Sequence, residues 1–127
     1  MPPAAVLDAS ALLAVINDEP GAAVVEPLLD RAVVSTVNLS EAAAKLVDRG
    51  MPPAEARDAL DGLGLTVAVF ATEEAHLAAA LRRSVPGSLS LGDRACLATA
   101  RRRQLPAYTT DRAWAGRSGG VEVVLIR

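Results

Sequence analysis

Residues 4–16 read AAVLDASALLAVI, and the join inside that stretch decides the fold. Residues 4–7 are a short apolar run suited to a buried strand, and residues 10–17 open an apolar helix. A strand that feeds straight into a helix is the first half of a β–α unit. A lone carboxylate, Asp8, stands at the junction. Asp and Ser both cap helices by accepting hydrogen bonds from free backbone N–H groups. Asp8 is therefore either a helix start signal or part of a site at the strand end.

The same alternation continues outward from this join. Residues 21–31 read as a second helix that Pro27 bends or ends early. A short strand follows at 33–35. Residues 38–49 then carry Leu39, Ala42, Ala43, Leu46 and Val47 at helical spacing, with Gly50 as the stop. Pro53 suits the first turn of a helix over 53–63. Residues 65–70 are the most β-rich run, and a helix over 72–83 has Glu73 and Glu74 in its first turn. Residues 86–92, PGSLSLG, have loop composition before a helix over 93–103. Short strands are expected at 107–109 and 121–126. Strands separated by helices imply right-handed crossovers and a parallel sheet covered on both faces, a three-layer α/β/α sandwich. No repeat or linker interrupts it, so residues 1–127 are expected to form a single domain.

Composition agrees. Hydrophobic residues make up 51% of the chain, which excludes a disordered class, and aromatics only 2%, so Ala, Val and Leu must fill the core. No apolar run is long enough to cross a membrane, and no signal-peptide pattern opens the chain. The single cysteine, Cys96, has no intrachain partner, and a cytoplasmic location is expected. The net charge of −2 hides an asymmetry. Residues 82–117 hold eight arginines against two acids, whereas residues 1–81 hold four basic groups against twelve acids. A basic segment in an acidic protein either faces phosphates or is a solvated helix surface.

In parallel α/β folds, ligands bind beyond the carboxyl ends of the strands. Asp8 follows the first strand, Glu41 lies shortly after the second, Asp93 opens a helix and Asp111 follows the 107–109 strand. Each acid also has an ordinary structural reading. Asn38-Leu-Ser-Glu41 and Ser90-Leu-Gly-Asp93 have capping-box spacing, and Glu41 precedes Lys45 by four residues, the order that favours a helix ion pair. Asp111 suits a cap for the turn holding Trp114. On a helical wheel Glu41 lies opposite Leu39 and Leu46, so periodicity does not turn it inward. Asp93 starts the apolar face formed by Cys96, Leu97 and Ala100.

Taken together, VLDAS with Asp8, NLSEAAAKL with Glu41, LSLGDRACLATA with Asp93 and YTTDRAW with Asp111 resemble the signature blocks of the PIN-domain ribonucleases. Within that family the chain looks like the VapC toxins of bacterial VapBC toxin–antitoxin modules, over essentially its whole length. The resemblance implies an acidic pocket formed by Asp8, Glu41, Asp93 and Asp111 that binds Mg²⁺ or Mn²⁺. Asp8, Asp93 and Asp111 would be the metal ligands, and Glu41 would orient or deprotonate a metal-activated water. Ser10 and Thr109 would be supporting residues. The implied activity is endoribonuclease cleavage of a structured RNA such as tRNA or rRNA. Arg82, Arg83, Arg94, Arg101, Arg102 and Arg112 are candidates to guide the RNA backbone. The implied partners are a small VapB-like antitoxin and a second copy of the chain, with apolar grooves on the helices at 10–31 and 38–63 as candidate docking faces. Trp114 stands where the family more usually has Phe.

The chemistry is consistent with the residue types. A phosphodiester and four carboxylates are both anionic and can meet only through a cation, and hard oxygen ligands select Mg²⁺ or Mn²⁺. Competing classes fit less well. A phosphoacceptor domain needs paired acids after its first strand, but Leu7 precedes Asp8. An Asp-x-Asp phosphatase fails because Ser10 stands at the second position. A PIN nuclease of RNA processing and a non-catalytic binding domain remain as alternatives. His76 and Cys96 have no catalytic partner in the sequence and read as structural residues.

Overall fold

The structure, a computed structural model, describes residues 2–84, 87, 89–114 and 116–127. Five short strands form one parallel sheet: β1 (Ala5–Leu7), β2 (Ala32–Ser35), β3 (Thr66–Ala68), β4 (Ala107–Thr109) and β5 (Val123–Leu125), in the order β3-β2-β1-β4-β5. Between them run α1 (Ala9–Ile16), α2 (Ala22–Val25), α3 (Thr36–Asp48), α4 (Pro53–Asp61), α5 (Thr72–Ser84) and α6 (Leu91–Arg103).

Side chains alternate across a strand, and the central strands show it. Ala5, Leu7, Ala32 and Val34 pack into a cluster with α1, α3 and α4. Val6, Val33 and Ala107 face the other way, against Leu81 of α5, Cys96 and Leu97 of α6, and Trp114. β1 is completely buried because helices cover both its faces, and its continuous apolar sequence reflects that. The expected three layers are present.

Element boundaries differ from expectation where a cap or an edge intervenes. α3 begins at Thr36 because Ser35 caps it, its hydroxyl accepting from Val37 N at 3.2 Å. Asn38 therefore lies inside the helix rather than at its cap. Gly50, at φ 99°, ends α3 in the left-handed conformation. The expected 21–31 helix breaks into α2 and a 3₁₀ helix over Glu26–Arg31, with Pro27 at the start of the second piece. The β-rich 65–70 run pairs only over Thr66–Ala68, as an edge strand with Val67 and Val69 exposed. Leu91 and Gly92, expected in the loop, are the first turn of α6, and Pro86 and Ser88 of that loop lie outside the described residues.

The strand order places the site. From β1 the chain moves outward through β2 to β3, then returns to place β4 on β1's other side. The crevice where the direction reverses, between β1 and β4, is where such sheets bind ligands. Asp8 directly follows β1, and Thr109 ends β4.

Candidate active site

Asp8 follows β1 and caps α1, with Oδ1 accepting from Ala11 N at 2.9 Å and from Ser10 Oγ at 2.6 Å. Thr109 Oγ1 donates to the other oxygen, Oδ2, at 2.6 Å, and itself accepts from Asp111 N at 3.0 Å. Ser10 Oγ accepts from Thr110 N at 3.0 Å. Two hydroxyls thus tie the end of β1 to the end of β4, and one of them links Asp8 to the backbone of Asp111. Asp8 thus both caps α1 and is tied to the end of β4.

Asp8, Glu41, Asp93 and Asp111 all line one cavity of about 410 Å³, together with Ser10, Asn38 and Lys45. Asp8 is buried, Glu41 and Asp93 half-buried and Asp111 exposed, so the acids run from the floor to the rim. Asp93 is the third residue of α6 and closes a capping box with Ser90, Asp93 N to Ser90 Oγ and Ser90 N to Asp93 Oδ2, both 3.1 Å. Helix N-termini at Asp8 and Asp93 favour negative charge there. Asp111 Oδ1 accepts from Ala113 N at 2.9 Å, starting the 3₁₀ turn Arg112–Trp114.

Burial raises the Asp8 carboxyl above its ordinary pKa; hydrogen bonds from Ser10, Thr109 and Ala11 pull it down, and the charge of Asp93 adds to the rise. The folded chain therefore binds a proton at Asp8 more readily than the unfolded chain does. The resulting stabilisation is present in acid and is lost as pH climbs through the folded-state pKa. Asp8→Asn is expected to leave the metal-free protein at least as stable as wild type at neutral pH, with a flatter dependence on pH. Thermal melting in a chelator between about pH 4 and pH 7 checks this. A clear drop in melting temperature at neutral pH would mean that the hydrogen bonds outweigh desolvation. Thr109→Val leaves an Asp8 oxygen and the Asp111 N–H without their partner and is expected to destabilise by about 1–3 kcal/mol in urea unfolding.

Could such a site hold a divalent ion? Its donors are carboxylate oxygens, which suit Mg²⁺ or Mn²⁺ rather than softer metals. Among the described residues, no three acidic, histidine or cysteine side chains already close on one point. Mg²⁺ commonly binds through one or two carboxylates and keeps several waters. Burial disfavours the charged form of Asp8, and a cation beside it offsets that cost. Cys96 beneath the site is fully buried, and burial pushes its thiol well up, with the charges of Asp8, Asp93 and Glu41 adding. It packs as a small core residue.

The arginines are dispersed. Arg101, Arg102 and Arg103 occupy the end of α6 away from Asp93, roughly 12–15 Å along the helix. Arg102 pairs with Glu74, and this partner holds the Glu74 carboxyl below its ordinary pKa despite the opposing effect of burial. Arg101 donates to Gly119 O, and Arg94 Nη1 donates to Ala78 O at 3.2 Å. Arg82, Arg83 and Arg112 are exposed, with Arg112 directly after Asp111. None of these arginines lines the acidic cavity; the cation that does is Lys45. The expected Glu41–Lys45 ion pair is not among the ion pairs of the described residues. His76 is exposed on α5, away from the site.

Asn38 and Lys45, which the sequence presents as a cap and an ion-pair partner, line the cavity, and Gly92, expected in a loop, lies against Glu41. The signal for two of them was present: Asn38, Glu41 and Lys45 fall within about 60° of one another on the wheel, a polar stripe opposite the apolar one.

The PIN domain family model matches residues 5–118 of the chain. A comparison with curated proteins finds no match. Among solved structures, a toxin–antitoxin complex from Klebsiella pneumoniae contains a chain 22% identical, with a TM-score of 0.79 and 98% of each chain covered. A DNA-bound VapBC from Salmonella typhimurium gives 17% identity and a TM-score of 0.81, covering 98% of this chain and 99% of that one. VapBC-5 from Mycobacterium tuberculosis gives 25% identity and a TM-score of 0.65, over 98% and 99%. The family match spans nearly the whole α/β/α sandwich and every acid of the cavity, and the chain belongs to the PIN domain family.

Proposed function

We propose that this chain is a Mg²⁺- or Mn²⁺-dependent endoribonuclease and the toxin of a VapBC-type pair. The observation that carries the reading is the buried Asp8, held by Ser10 and Thr109 in a cavity it shares with Glu41, Asp93 and Asp111. Asp8 and Asp93 are the core metal ligands, and Asp111 completes the set directly or through water. A divalent cation held there would supply the positive charge that admits a phosphodiester and would lower the pKa of a water. Glu41 orients that water and takes its proton. Ser10 and Thr109 keep both Asp8 oxygens aimed, and Thr109 sets the start of the Asp111 turn. The bond broken is a phosphodiester of a structured RNA such as tRNA or rRNA.

The partner is a small VapB-like antitoxin, and a second copy of the chain is expected to join the assembly. Two faces of α3 support this. Asn38, Glu41 and Lys45 line the acidic cavity, while Leu39, Ala43 and Val47 line an apolar groove of about 550 Å³ shared with Ala56 and Leu60 of α4. A peptide crossing α3 could fill the groove with apolar side chains and reach the acids with a basic one.

The test is to map RNA ends after inducing the chain in cells, beside Asp8→Asn. The reading expects new ends and growth arrest with wild type only. Identical growth and identical ends in both would overturn it.

A further inference from the structure

Gly92 is not a glycine for backbone reasons. It lies in the first turn of α6 with an ordinary helical conformation, where alanine is the better helix former. Space explains it. A Cβ built on Gly92 would fall on the carboxylate of Glu41, closer than any real contact, and the three nearest atoms all belong to that carboxylate. Glu41 therefore rests directly on the backbone at the start of α6, one residue before Asp93.

Asn38 holds it there. Its Nδ2 donates to Glu41 Oε1 at 3.0 Å and to Gly92 O at 2.9 Å, so one amide grips both the carboxylate and the backbone it rests on. The two acceptors also fix which end of the amide faces them, because the reverse orientation would oppose oxygen to oxygen. Asn38 is 1% exposed, and among the described residues its Oδ1 has no hydrogen-bond partner.

We propose that Asn38 and Gly92 form a cradle that fixes the Glu41 carboxylate over the start of α6, Asn38 being a positioning residue that acts through Glu41. This rests on the nuclease reading for its catalytic meaning, though not for its geometry. Gly92→Ala separates the role from stability. The obstructing atoms are the tip of a flexible side chain, so Glu41 can swing aside and the fold survive, while the carboxylate leaves its place.

The experiment compares wild type, Gly92→Ala, Asn38→Ala and Glu41→Ala by three readouts. These are Mg²⁺-dependent RNA cleavage, thermal melting, and the Asn38 side-chain amide resonance in ¹H–¹⁵N spectra of the full chain. Gly92→Ala is expected to melt no lower than wild type, yet lose cleavage about tenfold or more in kcat with little change in KM. The Asn38 amide should be shifted and slowly exchanging in wild type, and should change in both Gly92→Ala and Glu41→Ala. Should Asn38→Ala melt too low to assay, the Gly92→Ala comparison and the resonance still decide. Wild-type kcat in Gly92→Ala, or an Asn38 amide unmoved by Glu41→Ala, overturns the cradle. If wild type cleaves no RNA with either metal, the nuclease reading fails while the resonance still tests the cradle.

Discussion

Asp93→Asn is expected to lower divalent-ion-dependent RNA cleavage by at least about 10²–10³-fold while leaving the fold intact. The two effects separate because Asp93 serves two purposes with different requirements. Its Oδ2 accepts from Ser90 N and its own N–H reaches Ser90 Oγ, and an asparagine oxygen can maintain that capping box. Holding a cation beside Asp8 needs the negative charge, which asparagine lacks. Single-turnover cleavage with excess enzyme, read beside the melting temperature, checks this. Cleavage within about threefold of wild type at an unchanged melting temperature would remove Asp93 from the site.

Trp114→Ala is expected to cost about 3–5 kcal/mol in urea unfolding, a large share of the ~5–15 kcal/mol available to a domain. Trp114 is completely buried beside Val6, Val33, Cys96 and Leu97, and is the largest side chain in a core otherwise built from small ones. Its loss opens a cavity that alanines and valines cannot fill. Among the described residues the indole Nε1 has no hydrogen-bond partner, so the expected loss is one of volume and packing. Trp114→Phe should accordingly be far milder. The site will also feel the change, because Trp114 N donates to Asp111 O at 3.2 Å and closes the turn that presents Asp111. A loss below about 1 kcal/mol would mean that the core collapses around the missing ring.

The layers, the order of elements and the placing of Asp8, Asp93 and Asp111 at strand and helix ends were legible in the sequence. The reason is physical: strands buried on both faces cannot alternate with polar residues, so AAVL and AVVS read as continuous apolar runs. Asp8, Asp93 and Asp111 were legible for a related reason, since each caps the element that positions it. Glu41 was not. Its orientation follows from α3 packing against the start of α6, a contact between residues 54 apart in the case of Asn38 and Gly92. Periodicity reports which face of a helix is apolar, not which polar face meets another element. The same limit concealed Asn38, which looked like a cap until Ser35 took that position. The arginines show the opposite limit. They cluster in the sequence, yet α6 carries three of them along its length to the end remote from Asp93.

The central claim is that the carboxylates around Asp8 hold a divalent cation. Electron paramagnetic resonance of free Mn²⁺ titrated with the metal-free chain tests it most directly. Wild type is expected to withdraw Mn²⁺ from the free signal with saturation, and excess Mg²⁺ to return it. The Asp8→Asn/Asp93→Asn double variant, folded by its melting curve, is expected to leave the free signal unchanged. Equal withdrawal of Mn²⁺ by wild type and the double variant, or none by either, would contradict the account.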